Sequence, residues 1–233
     1  MFNMRSEEAV ASTRHTIVLL VALLVISIWG AISSPISGWP AILAGPHARL
    51  LLYARILALQ CFWVVYVWLG MRHSATSIRA LIDDSKWTAL RWLRYLAIGA
   101  AGWIAYQAIG AGLSKLFHPN PAALLGLQSM FPHSPVERMM WAAFALTAGV
   151  CEEVVYRGYL LRQFRALAGN TFAAVVLQSL CYGLVHLVLP IQSLAGVVVL
   201  GLLLGGLAVW QKSLVPGMIL HTGVGLIVLV QPT

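Results

Sequence analysis

The chain has 233 residues, of which 60% are apolar and 9% are charged, and its formal net charge is +8. About a quarter of the residues of a soluble domain are charged, so this composition excludes a soluble globular protein and indicates a polytopic membrane protein. At about 20 residues per membrane-crossing helix, the length allows roughly seven helices with short connections. It leaves no room for a separate soluble domain.

Apolar runs along the chain predict seven transmembrane helices, at about 16–33, 50–70, 90–113, 136–161, 172–189, 194–210 and 215–230. Turn-forming residues, many of them proline or glycine, separate several of these runs. The connection between the third and fourth runs is compatible with either a short interfacial helix or an ordered loop. We therefore expect an all-α bundle of about seven transmembrane helices that forms a single integral membrane domain over residues 1–233.

Basic residues are distributed unevenly between the two ends of these helices. One side of the membrane receives Arg5, Arg14, Arg72, Arg79, Lys86, Arg91, Arg94, Arg162, Arg165 and Lys212. The other side receives Arg49, Lys115 and Arg138, while Arg55 and Arg157 lie inside predicted helices. Because positive charge accumulates in cytoplasmic loops, the bias predicts that the N-terminus is cytoplasmic and the C-terminus lies outside.

The same distribution bears on partners and location. The positive charge attracts anionic lipid headgroups. We expect no nucleic acid as a partner, because no basic patch is interleaved with exposed aromatic residues on a soluble surface. The small size and the absence of an evident organelle signal favour a prokaryotic plasma membrane.

Three charged residues interrupt the fourth apolar run. Glu152 and Glu153 are adjacent, and Arg157 follows four residues after the second. Each ionised side chain near the bilayer centre costs about 2.5 to 3.5 kcal/mol on insertion scales, so intramembrane charge indicates a functional site by default.

The spacing of these residues predicts their geometry. On a helix, Glu153 and Arg157 share one face and can form an ion pair, whereas Glu152 points about 100° away. Glu152 is therefore the less compensated acid, free to face an interior cavity. A carboxylate in that position suits a general base.

Two histidines also lie inside predicted helices. His186 falls late in the fifth helix and His221 in the first half of the seventh. At 1.5 Å per residue from the cytoplasmic ends, Glu152, His186 and His221 lie at depths of ~18, ~22 and ~13 Å, which helix tilt and side-chain reach can reconcile. One carboxylate and two imidazoles that converge in a membrane can activate a water and stabilise an oxyanion.

These residues resemble the CPBP or Abi family of intramembrane proteases, which includes the CAAX-processing endoproteases. The family motif E-E-x-x-x-R is matched in full by Glu152, Glu153 and Arg157. A second motif, F-x-x-x-H, is matched at His186, with Tyr182 in place of the phenylalanine. The matching sequence covers helices four to seven, about residues 136–230, and the first three helices carry no motif.

A third family motif, H-x-x-x-N, is matched at His221 but not four residues later. Gly225 stands where the family usually has Asn or Asp. The resemblance implies that Glu152 activates a water, that His186 helps to orient it, and that His221 stabilises the oxyanion of the attacked peptide carbonyl. Side chains that could replace the missing donor are Thr222, Gln178 and Gln192.

A metal ion is an alternative way to use the same residues. Glu152, His186 and His221 form a His₂Glu set of the kind that holds catalytic zinc. No H-E-x-x-H spacing is present, and the resemblance implies glutamate catalysis without an obligatory metal. We therefore favour a site without a cofactor, with zinc as the alternative.

The motifs indicate an endopeptidase that cleaves near a membrane-presented end of a protein or peptide. Prenylated tails, secreted peptide precursors and membrane-anchored sorting tails are all compatible substrates. A non-catalytic scaffold or chaperone could use the same helices, and a proton-coupled transporter could use intramembrane Glu, Arg and His. The transporter is less favoured because the sequence has no internal repeat.

Overall fold

The structure, a computed structural model, describes residues 9–72, 74, 76–83, 85–86, 88–117 and 120–230. Within these ranges the chain is helical and contains no strand, which confirms the all-α prediction. The long helices are α1 (Thr13–Ser33), α2 (Ala48–Met71), α3 (Ala89–Leu116), α4 (Pro135–Ala168), α5 (Thr171–Leu184), α6 (Ile191–Gln211) and α7 (Val215–Leu226). Arg5, which contributes to the charge bias, lies outside the described residues.

The long helices occupy the seven predicted apolar runs, but they differ in length. Among the described residues, five helices are long and apolar enough to cross a membrane, namely α1 to α4 and α6. Helix α5 has 14 residues, and α7 has 12 followed by a 3₁₀ turn at Ile227–Val230. The protein is therefore an integral membrane protein, while the count of seven crossings and the cytoplasmic N-terminus stay predictions.

The prediction for the end of α5 was wrong. The helix ends at Leu184 instead of continuing to residue 189, and residues 185–188 form turns. Backbone N–H groups of His186 and Leu189 bond to the carbonyls of Gly183 and His186, each at 2.9 Å. The chain must reverse direction before Pro190, and a residue that precedes proline disfavours the helical conformation. His186 consequently lies in a turn rather than in a helix.

The connection between α3 and α4 contains a short helix, Pro121–Ser129, so the helical alternative is correct there. The Asn120 side chain caps it by accepting a hydrogen bond from the Ala122 N–H at 3.0 Å. Gly126 of this helix lies directly against the backbone of Ile36, where a side chain would collide. Two further short helices are Trp39–Ile42 and Ile78–Ile82.

Helix α4 is the most buried of the five long apolar helices, and it contacts α2, α5 and α7. A capping box formed by Ser134 and Glu137 begins it. Its central segment, Ala148–Leu160, is π-helical, and all of residues 153–160 are buried. The π-helix bonds i to i+5 and is rare; it occurs mostly as single-turn bulges within α-helices, which are frequent at functional sites. The acidic motif of the sequence lies in this segment.

Small residues allow α7 to pack closely on α4. A Cβ atom added to Gly149 would collide with the Thr222 hydroxyl, and one added to Gly225 would lie 2.8 Å from the Ala145 Cβ. The Trp141 indole donates a hydrogen bond of 2.9 Å to the Gly225 carbonyl at the same crossing. Glycine at these positions lets the two backbones approach, as in other membrane bundles. Gly225 therefore has a packing role here.

A buried aspartate ties the loop before α7 to the loop before α3. The Asp83 carboxylate accepts hydrogen bonds from the Ser213 hydroxyl at 2.9 Å and the Tyr95 hydroxyl at 2.8 Å. The Leu214 N–H donates to the Ile82 carbonyl at 2.8 Å. Burial alone would raise the pKa of Asp83, but hydrogen bonds from Ser85, Tyr95 and Ser213 outweigh burial and lower it. These bonds hold the start of α7 in place.

We expect Gly149→Ala and Gly225→Ala each to lower the free energy of unfolding by about 1 to 3 kcal/mol, because the added methyl overpacks the α4–α7 contact. Gly112→Ala on α3 is the matched control, since nothing lies within 4 Å of its added Cβ. That control should be neutral or stabilising, as alanine favours a helix over glycine. Thermal unfolding in detergent measures all three. Equal unfolding temperatures for Gly149→Ala and Gly112→Ala would contradict the close packing.

We expect Asp83→Asn to lower the free energy of unfolding by about 1 to 3 kcal/mol at neutral pH, because the amide cannot accept all of the present hydrogen bonds. The folded-state pKa of Asp83 is lowered, so its stabilisation is complete above the unfolded value of about 3.9 and is lost as pH falls through the folded value. The difference between the unaltered protein and the variant should therefore shrink in acid. A difference in unfolding temperature that stays constant from pH 7 to strongly acidic pH would contradict this account.

Candidate active site

The buried ion pair predicted within the fourth helix is present. Arg157 Nη1 lies 3.0 Å from Glu153 Oε1, and both side chains are fully shielded. The guanidinium also stands 4.4 Å from the centre of the Tyr182 ring, in a cation–π contact. Gly217 of α7 makes room for the pair, since a Cβ there would lie 3.1 Å from Glu153 Oε2. A buried ion pair needs such close partners to offset the loss of hydration.

His221 lies between the two glutamates. Its Nδ1 is 3.0 Å from Glu153 Oε1, its Nε2 is 3.1 Å from the Tyr182 hydroxyl, and Nε2 is 3.7 Å from Glu152 Oε2. An ionised carboxylate can only accept, so Nδ1–H donates to Glu153, and the tyrosine O–H donates to Nε2 of the neutral ring. The imidazole is thus held on both edges by residues from two other helices.

Glu152 is the open carboxylate of the adjacent pair. Its side chain is 21% exposed, whereas that of Glu153 is fully buried. The contrast agrees with the expectation that Arg157 compensates Glu153 and leaves Glu152 free. Both carboxylates nevertheless approach the same His221 ring, Glu153 at Nδ1 and Glu152 at Nε2. A π-helix has more residues per turn, so neighbouring side chains diverge less than in an α-helix.

His186 joins the cluster through Tyr182. Its Nδ1–H donates a hydrogen bond of 2.8 Å to the Tyr182 carbonyl, because that oxygen can only accept. The two rings meet edge to face at 4.9 Å, and the Tyr182 ring meets His221 in the same way at 5.9 Å. Tyr182 therefore stands between the two histidines, and the Nε2 atom of neutral His186 points away from its backbone partner as an acceptor.

One residue of the site was missed by the sequence reasoning. Gln60 of α2 is 5% exposed, and its amide Nε2 donates to Glu152 Oε1 at 3.2 Å. The amide oxygen accepts from the Thr147 hydroxyl at 2.7 Å. The available signal was a lone amide inside an apolar helix, since buried polar groups in membrane helices are uncommon and functional by default.

The side chains considered as replacements for the missing family Asn lie elsewhere. Gln178 donates hydrogen bonds to the Gly201 carbonyl at 3.1 Å and the Ser179 hydroxyl at 2.7 Å, behind the ion pair. Thr222 packs on Gly149, and Gln192 lies in the first turn of α6. Their described contacts place Gln178 and Thr222 in helix packing rather than beside Glu152.

The geometry gives no support to a metal centre. In the part of the chain that the structure describes, no three His, Cys, Asp or Glu side chains are arranged to hold a metal ion. His221 uses both ring nitrogens for Glu153 and Tyr182, so it offers no nitrogen to complete a set with Glu152 and the Nε2 atom of His186. The Glu152, His186 and His221 set therefore does not fit a zinc ion in this arrangement.

Comparison with known proteins adds an independent result. Residues 134–227 match a family model described as type II CAAX prenyl endopeptidase Rce1-like. A search of the curated proteins and a search of the solved structures each gave no match. The matched region extends from the start of α4 through α7 and contains Glu152, His186 and His221. The match over residues 134–227 agrees with the family resemblance that the sequence motifs indicated.

Proposed function

We propose that the protein is an intramembrane endopeptidase that hydrolyses a peptide bond near a membrane-presented end of its substrate. The observation that carries the proposal is the contrast between two adjacent glutamates. Glu153 is buried and paired with Arg157, while Glu152 is partly exposed beside His221. Ionised side chains in an apolar helix are energetically unfavourable, so their presence indicates a functional site. Peptide hydrolysis is a reaction that would use these groups.

The proposed reaction uses the groups as follows. Glu152 takes a proton from a water, and the Nε2 atom of His186 accepts the second hydrogen bond from that water. The oxygen attacks the peptide carbonyl, and we assign the developing oxyanion to the Tyr182 O–H, which turns to it from the Nε2 atom of His221, 3.1 Å away. His221 supports this step by holding the hydroxyl in place. Glu152 then gives its proton to the leaving nitrogen. No metal is needed for any of these steps.

The family match supports a membrane-associated protein or peptide as the substrate, since its model is that of a CAAX prenyl endopeptidase. Within this proposal, prenylated tails are the first class to test, followed by secreted peptide precursors and membrane-anchored sorting tails. We also propose a prokaryotic plasma membrane as the location, with a cytoplasmic N-terminus and one membrane domain.

A non-catalytic scaffold is the second candidate, and one observation favours it. Gly225 offers no side chain where the family usually has an amide or carboxyl, and Ala145 occupies the adjacent space. Loss of one oxyanion donor typically costs about 2.7 to 4 kcal/mol of transition-state stabilisation. A scaffold would retain partner binding without any cleaved product.

We expect new protein termini in host membranes that contain the unaltered protein and not in membranes that contain its Glu152→Gln form. The substitution keeps the shape of the side chain and removes the base. Mass spectrometry of N- and C-termini measures the difference and identifies the substrate.

Cys151→Ala, one residue away on α4, is the matched control and should leave the new termini in place. Identical termini with the unaltered and Glu152→Gln proteins, both stably present, would contradict proteolysis in that host. That outcome would favour the scaffold.

We expect Arg157→Met to lower the free energy of unfolding by about 3 to 5 kcal/mol, because it leaves Glu153 buried without a partner. The double variant with Glu153→Met should recover much of the stability, yet remain inactive because His221 loses its carboxylate. Thermal unfolding in detergent and the appearance of the cleaved terminus measure the two effects. A double variant that cleaves at the unaltered rate would contradict the role given to Glu153.

A further inference from the structure

Gln60 brings a helix without any family motif into the site. It lies near the middle of α2, and its amide contacts Glu152 Oε1 at 3.2 Å across the α2–α4 interface. The side chain is almost fully buried, at 5% exposure. A buried amide costs free energy unless both of its ends are hydrogen-bonded. The partners of those two ends therefore indicate what the amide does.

Thr147 occupies the other end of the amide. Its hydroxyl lies 2.7 Å from Gln60 Oε1, and Thr147 precedes Glu152 by five residues on α4. An ionised carboxylate only accepts, so the amide N–H must point to Glu152 and the amide oxygen to Thr147. The Thr147 hydroxyl also lies 2.9 Å from the Ala143 carbonyl and 3.0 Å from the Phe144 carbonyl, but the Gln60 amide oxygen is the nearest of its three acceptors. Thr147 thus supports the orientation that presents a donor to Glu152.

The two oxygens of Glu152 differ as a result. Oε1 accepts the Gln60 hydrogen bond, whereas Oε2 is shielded and has no hydrogen-bond partner among the described residues. Oε2 is also the oxygen that faces His221, at 3.7 Å from Nε2. A bond to one oxygen restrains the carboxylate and leaves the other for chemistry.

We propose that Gln60 is a positioning residue for Glu152: its amide, oriented by Thr147, holds Oε1 so that Oε2 receives the proton of the attacking water. This inference rests on the proposed function. Hydrogen bonds to an ionised group are the stronger class, and they favour the charged form that a base needs. Proton transfer from water to Oε2 leaves the Gln60 bond intact, so the carboxylate does not have to rotate during the reaction.

The test uses the full-length protein in lipid vesicles and a synthetic peptide that spans the junction found by the terminus comparison. Gln60→Met keeps the length of the side chain and removes the donor. We expect it to lower kcat roughly 10- to 100-fold, the range expected for loss of a hydrogen bond to a charged group, with KM nearly unchanged. Cys61→Ala, the next residue on α2, is the matched control and should retain the unaltered kcat.

Two substitutions at Thr147 separate positioning from packing. Thr147→Val keeps the shape of the side chain but removes the hydroxyl, so it should lower kcat. Thr147→Ser keeps the hydroxyl, so it should retain the kcat of the unaltered protein. Gln60→Met with Thr147→Val should lose no more than Gln60→Met alone, because both remove the same interaction. Thermal unfolding identifies any variant that fails to fold.

The outcomes separate this role from the proposed function. The positioning role would be overturned if the losses of kcat in Gln60→Met and Thr147→Val added up in the double variant. It would also be overturned if Thr147→Val and Thr147→Ser had equal kcat. Neither result would contradict cleavage itself. A folded Gln60→Met protein with the unaltered kcat would likewise overturn the positioning role. No Glu152-dependent product from the unaltered protein would overturn the proposed function, and the role of Gln60 with it.

Discussion

The buried ion pair between Glu153 and Arg157 is the constraint on which the rest of the site depends. A bilayer interior offers no water to either charge, so each must find its partners inside the protein. The π-helical segment of α4 brings them together at 3.0 Å, and Tyr182 covers the guanidinium. Gly217 on α7 leaves the space that Glu153 needs. Four helices therefore converge where the charge is, with α6 reached through the Gly201 carbonyl.

The ion pair with Arg157 compensates the charge of Glu153 and leaves the charge of Glu152 without a cationic partner of this kind among the described residues. Because Glu153 holds both Arg157 and His221, the imidazole has one orientation and presents its Nε2 edge toward Tyr182 and Glu152. Glu152 then has one restrained oxygen and one that faces the histidine. Two identical side chains next to each other in the sequence thus have different surroundings, since Glu153 is fully buried in its ion pair and Glu152 is partly exposed. The close α4–α7 crossing at Gly149 and Gly225 maintains this geometry.

Local spacing explains what could be predicted from the sequence. The Glu153–Arg157 pair follows from residues four apart on one helix, and the helix positions follow from apolar runs. The π-helix was not predictable from those runs, since it shares the apolar pattern of an α-helix. Gln60 lies 92 residues from Glu152 in the chain, and no spacing rule joins residues so far apart. Gly225 was understood only as a missing amide, whereas its neighbour Ala145 shows that the position serves helix packing.

The central claim is that Glu152 acts on a water rather than attacking the substrate itself. A single-turnover cleavage in ¹⁸O-labelled water tests it directly, with the purified protein in vesicles and mass spectrometry of both product and enzyme. A general base predicts one labelled oxygen in the new carboxyl terminus of the product and none in the Glu152 side chain. Label in the Glu152 carboxylate would instead indicate a covalent acyl intermediate on that residue and would contradict this account.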